Sequence, residues 1–168
     1  INAFIDFFEK AQRASFTQTR ITSFGSTRYP NKKVEEDTVL QALLKTETQV
    51  TTLFGKTWDL HVRDALSTSL DENLRMIFES IAYLKKYREE VLFDAEHFFD
   101  GYKNNPEYAL KAVKEAESAG ADWIVLCDTN GGTLPHEVSR IFSEVKKSLS
   151  VKMGIHAHND SEVAVANS

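Results

Sequence analysis

A single cysteine stands in the sequence, Cys127, inside the apolar run WIVLCD. One thiol closes no intramolecular disulfide, which excludes a secreted disulfide framework and points to a reducing, cytoplasmic compartment. Long hydrophobic runs are missing too, since none approaches the ~20 residues that a bilayer span needs. The opening INAFIDFFEK carries acids where a signal peptide carries a basic n-region. The expected protein is therefore soluble, with no membrane partner. Basic charge is in deficit: 20 Lys and Arg stand against 25 Asp and Glu, a formal net charge of -5. Lysines and glutamates mix along helical stretches and form no basic stripe, which argues against a nucleic-acid partner. No Gly/Ser linker or low-complexity segment interrupts the chain, so residues 1–168 read as a single domain, long enough to bury a core without staples.

What the chain does have is alternation. Short β-branched or aliphatic runs recur as strand candidates at Arg20 to Gly25, Gln49 to Gly55, Glu90 to Ala95, Trp123 to Asp128 and Val151 to His156. Between them lie helical segments with readable ends. Ser69 and Glu72 form an S-x-x-E capping box ahead of Leu74, Ile77, Ile81 and Leu84, which recur at three- and four-residue steps. Asn105, Pro106 and Glu107 open the next helix and Gly120 stops it. Thr133 or Leu134 precedes Pro135 in a third, which ends on Lys146 and Lys147. VEEDTVLQALLKT and the Phe-rich AFIDFFEKAQ are also expected to be helical, the latter with its phenylalanines on a core-facing side.

Strands apolar on both faces, each followed by a helix, imply a parallel sheet covered by helices. A doubly wound sheet would carry a Gly-rich phosphate turn, and neither G-x-G-x-x-G nor G-x-x-x-x-G-K-[ST] occurs. Polar, chemically capable residues instead follow nearly every strand, in GSTR, GKTWDLH, DAEHFFD, DTNGG and HAHND, as in a (β/α)8 TIM barrel. Five strands do not close eight, and a full barrel takes ~250 residues, so the expectation is a partial barrel, excised from a longer one.

Side chains two apart on a strand point the same way, so His156 and His158 can aim two imidazoles at one point and form two legs of a metal site. The same spacing also suits one ring facing solvent and one bound to a backbone carbonyl. Asn159 and Asp160 can orient such ligands or cap the next helix. LFDAEHFFDG places Asp94, Glu96, His97 and Asp100 where a strand should end, with Glu96 the best candidate for a general acid or base; the same residues also suit a loop whose backbone Asp94 and Asp100 hold while Glu96 is solvated. Asp128, Thr129 and Asn130 offer hydrogen bonds, and Gly131 and Gly132 permit close backbone approach or a plain turn. Arg28 can pair with a substrate carboxylate or lie on the surface. Lys56, Trp58 and His61 add a base and an aromatic wall, and Cys127 reads as a buried inert thiol.

Together, FGSTR, FGKTWDLHV, DAEHFFDGYKNNPEYAL, LCDTNGGTLPHEV and GIHAHNDSEVAVANS resemble the catalytic barrel of the 2-isopropylmalate, homocitrate and citramalate synthase family, relatives of HMG-CoA lyase. The strings FDAEHFFDGYKNNPEYAL and CDTNGG look most like the citramalate branch. The resemblance implies a metal-dependent acyltransferase that condenses acetyl-CoA with a 2-oxo acid, pyruvate in that branch, and then hydrolyses the thioester. It implies His156 and His158 as metal ligands, Glu96 as the acid beside the acceptor and Thr129 at the 2-oxo acid carboxylate, with His61 and Arg28 as weaker carry-overs; Asn130, next to Thr129, stands beside them as a substrate-binding candidate. Mn, Zn, Mg and Co all suit two imidazoles with oxygen co-ligands. The family's first-strand D-T-T-L-R-D-G-x-Q, its second strand and its eighth strand have no counterpart here, so the chain alone is expected to be inactive or nearly so. Uncovered sheet edges lead to the expectation of a homo-oligomer, a homodimer in the family. Two other readings stay open: a sister synthase using a different 2-oxo acid, and a non-catalytic α/β fragment whose histidines are structural.

Overall fold

The computed structural model describes residues 2–14 and 16–168. Helix α1 (Asn2–Arg13) precedes β1 (Thr22–Ser26), α2 (Thr38–Lys45) and β2 (Val50–Lys56). Two helices follow, α3 (Asp59–Asp64) and α4 (Leu70–Leu84), and then β3 (Glu90–Glu96). Another pair, α5 (Phe98–Asn104) and α6 (Pro106–Ser118), leads to β4 (Trp123–Asp128), α7 (Pro135–Lys146), β5 (Lys152–Ala157) and α8 (Ala164–Asn167). The strands form one sheet in the order β1-β2-β3-β4-β5, every neighbouring pair parallel. This is the expected arc of a (β/α)8 barrel. Among the described residues, no helix is long and apolar enough to cross a membrane.

The two faces of the arc differ more than the expectation of strands apolar on both sides allowed. Leu53, Val91, Phe93, Ala95, Ile124 and Leu126 are all fully buried and pack against Leu74, Ile77, Ile81, Ala109 and Val113 of the covering helices. Period-two alternation sends the intervening residues to the concave side, where Phe54, Asp94, Glu96, Cys127 and His156 gather toward the C-terminal strand ends. The helix-side core holds the sheet, and the polar concave side is left for chemistry. In α1, Phe8 is buried and Phe4 packs against the core, but Phe7 is exposed.

The helix ends follow local chemistry with two departures. The Ser69 hydroxyl accepts the Glu72 amide at 3.1 Å, and Asn105 Oδ1 accepts the Tyr108 amide at 3.2 Å. The Glu72 side chain does not close its half of the capping box, because it turns inward to Arg28. At α7 the residue before Pro135 is Leu134, with only Glu137 reaching back to its amide at 3.2 Å. Thr133 is drawn away to Asp128 instead, its hydroxyl donating to Oδ1 at 2.8 Å.

Candidate active site

A pocket of about 300 Å³ opens on the concave side between the C-terminal ends of the strands. Asp94 and Glu96 of β3, Cys127 of β4 and His156 of β5 line it, with Thr129 and His158 just past their strands and Phe24 and Phe54 as its apolar side. The two phenylalanine rings stack at 5.4 Å. A larger groove of about 430 Å³ lies between α7, β5 and α8, but Val138, Phe142, Met153 and Ile155 line it, with no titratable side chain among the described residues. The smaller pocket is where titratable side chains gather.

His156 and His158 stand side by side there, ring centroids 5.1 Å apart and planes within 24°. The His156 Nδ1 lies 2.9 Å from Asp94 Oδ2. The His158 amide donates to the Asp128 carbonyl at 3.3 Å, which ties the segment after β5 to the end of β4. Behind it, Gly131 (φ +63°) sits so close to Asp160 that a Cβ would fall 2.7 Å from Asp160 Oδ2. The close approach allowed by this glycine is therefore used to lock the two loops together.

Glu96 ends β3 with one oxygen buried. Lys56 Nζ of β2 stands 2.8 Å from that oxygen, Oε2, which accepts no directed hydrogen bond among the described residues, so the contact is ionic. The Glu96 carbonyl takes the Thr57 hydroxyl at 2.8 Å, which fixes the end of the strand. Thr129 Oγ1 accepts the His97 amide at 2.9 Å. His97 is left-handed (φ 55°), and its ring Nδ1 lies 3.2 Å from Asp100 Oδ2.

The remaining candidates are placed elsewhere. Asn130 is outside the pocket and donates from Nδ2 to Asp100 at 2.9 Å. His61 does not line the pocket either; its ring lies 4.7 Å from that of Trp58 and 4.4 Å from that of His97. Burial, then the nearby His97 and Lys56 charges, lower its affinity for a proton, and its buried Nδ1 has no partner among the described residues. Arg28 requires correction. It is 3% exposed, with Nη1 2.7 Å from Glu72 Oε1 and Nε 2.8 Å from Glu79 Oε2, so its guanidinium is committed to the protein's own carboxylates. Burial would raise the Glu72 carboxyl, but hydrogen bonds from Arg28, the Asn31 amide and Arg75 hold it down to about 2.

Of the two roles open to Asp94, the structure does not show loop support: its side chain meets the His156 ring. Ligand atoms of Asp94, Cys127 and His156 all lie within 4.8 Å of one another. Its position two residues before Glu96 is the same signal that joined His156 to His158. Burial, then the Asp94 and Glu96 charges, push the Cys127 thiol far up, leaving it as inert as expected. The His156 and His158 imidazoles, stacked side by side at this point, are donors that suit a divalent ion of the Mn, Zn, Mg or Co kind together with oxygen co-ligands.

Parallel strands covered by helices, with polar groups collected at their C-terminal ends, define an arc of a (β/α)8 barrel. The chain belongs to the HMGL-like family, which it matches over residues 12–168. It is 62% identical over 163 residues to the (R)-citramalate synthase of Aquifex aeolicus, covering 96% of this chain and 31% of that protein. It is 53% identical over 164 residues to the (R)-citramalate synthase of Geobacter sulfurreducens, covering 98% of this chain and 31% of that protein. The chain thus spans about a third of the length of these curated relatives. Among solved structures, the HMG-CoA lyase of Bacillus subtilis superposes with a TM-score of 0.75 at 16% identity, over 96% of this chain and 53% of that one, which shows the shared fold.

Proposed function

We propose that the chain is part of the catalytic barrel of a citramalate-type synthase, an acyltransferase that condenses acetyl-CoA with pyruvate and hydrolyses the thioester to release citramalate and CoA. The observation that carries this reading is the convergence of His156, His158 and Glu96 on one pocket, in a chain this similar to citramalate synthases. His156 and His158 would hold a divalent ion, which when bound supplies Lewis-acid polarisation of the 2-oxo acid carbonyl. Glu96 is the base that takes a proton from the acetyl methyl group, with Lys56 as the cation beside it. Because Thr129 Oγ1 already accepts the His97 amide, its hydroxyl proton is free to donate to the pyruvate carboxylate. Phe24 and Phe54 give the small methyl group an apolar wall and keep water from that side.

The 168-residue chain supplies these groups but, alone, turns over little or nothing. The outer edges of β1 and β5 pair with no strand among the described residues, which supports self-association, with a homodimer as the expected form. A cytoplasmic setting suits the free, buried Cys127.

Saturation-transfer NMR with pyruvate, 2-oxoisovalerate and 2-oxoglutarate, each with Zn2+, tests the reading. The expected result is transfer to the pyruvate methyl that disappears in the His156→Ala, His158→Ala double variant. Preferred transfer to a longer 2-oxo acid would move the chain to a sister synthase of the 2-isopropylmalate or homocitrate type. Silence toward all three would leave the histidines structural and overturn the proposal.

A further inference from the structure

We infer that Asp94 is a positioning residue that fixes the tautomer and orientation of His156. The inference rests on reading His156 as a metal ligand. Asp94 reaches from β3 past β4 to the ring on β5, with its Oδ2 2.9 Å from Nδ1. A carboxylate accepts and does not donate, so in the neutral ring the shared proton sits on Nδ1 and the lone pair is left on Nε2, the nitrogen turned away from Asp94. A ring held this way is a better and more rigid donor to a cation, as carboxylate–imidazole pairs at metal centres are.

Two further observations favour a positioning role over a structural one. The Asp94 side chain is only 8% exposed, yet no lysine or arginine pairs with it among the described residues; its neighbours are His156 and the Cys127 thiol. Burying a carboxylate with so little compensation costs stability, so packing alone does not account for its place. The arrangement is also asymmetric, because no side chain among the described residues hydrogen-bonds the His158 ring. Asp94 therefore acts on one histidine of the pair, whose ring it holds beside its neighbour. A direct ligand role for Asp94 is the rival account, and the two give different results on substitution.

Nitrogen-15 NMR of the histidine rings in the metal-free chain near pH 8, above the ordinary His range, reads the tautomer without any metal. The expected spectrum shows His156 as the Nδ1–H form. Asp94→Ala should shift it toward the Nε2–H form common in free histidine, and Asp94→Asn, which keeps the volume and an acceptor oxygen, should restore part of the signal. His158 should not change in either variant. Zn2+ titration should then show both Asp94 variants weakened by roughly 10- to 100-fold, less than His156→Ala. An unchanged His156 tautomer in Asp94→Ala would overturn the inference. So would an Asp94→Asn chain that keeps the tautomer but loses Zn2+ as fully as His156→Ala, since Asp94 would then be a ligand. A wild-type chain with the Asp94-dependent tautomer but no affinity for Zn2+ would instead sink the metal reading beneath it.

Discussion

Replacing Glu72 by Gln should remove a large part of the acid sensitivity expected of the fold between pH 4.5 and 2. In the native chain Glu72 is 6% exposed and Arg28 3% exposed, and Arg28 Nη1 lies 2.7 Å from Glu72 Oε1. Arg75 adds contacts of 2.6 and 2.9 Å to Oε2, and the Asn31 amide one of 3.2 Å to Oε1. Against the cost of burial these partners depress the carboxyl from an ordinary 4.5 to about 2, which corresponds to roughly 3 kcal/mol of folding free energy. A group depressed on folding binds more protons when unfolded. Its contribution is therefore complete above pH 4.5 and is lost as pH falls through that value toward 2. Removing one partner of such a buried pair typically costs ~3–5 kcal/mol, which agrees with the linkage value. Urea unfolding followed by circular dichroism from pH 7 to pH 3 should give a wild-type curve that falls more steeply below pH 4.5 than that of Glu72→Gln. Curves that run parallel over that range would refute the reasoning. Arg28→Met should destabilise comparably, because the guanidinium anchors the segment after β1 to α4.

Gly131→Ala places a Cβ 2.7 Å from Asp160 Oδ2 at a φ of +63°, so it should cost about 1–3 kcal/mol in thermal melting and weaken Zn2+ binding by separating the loops after β4 and β5. Lys56→Met strips the cation that stands beside a buried Glu96 oxygen and should cost about 1–3 kcal/mol in urea, with Glu96→Gln added to it restoring most of the loss. Cys127, buried and with its thiol pushed up, should resist a thiol-reactive dye near pH 8 while the chain is folded and react promptly once it is unfolded; fast reaction in the native state would contradict the burial.

The elements readable from sequence were those with periodic apolar content. WIVLCD predicts Trp123–Asp128, and that is the strand found. The first strand was set two residues early because Arg20 belongs to the sheet's end, where it pairs with Glu90 at 2.7 Å. Helices α3 and α5 gave no signal, being one or two turns long. Gly101 lies inside α5, where a Cβ would meet the Thr57 carbonyl at 2.7 Å. At the site, spacing of two residues made His156 and His158 legible. The same rule, applied to Asp94 and Glu96, would have brought Asp94 in. Arg28 was not legible as a structural residue, since Glu72 and Glu79 lie 44 and 51 residues away and only the fold brings them together.

Calorimetric titration of Mn2+ into the chain, with and without pyruvate and beside the His156→Ala, His158→Ala double variant, tests the central claim most directly. The account predicts binding that requires both histidines and tightens when pyruvate is present. Binding that survives the double substitution, or that pyruvate leaves unchanged, would contradict it.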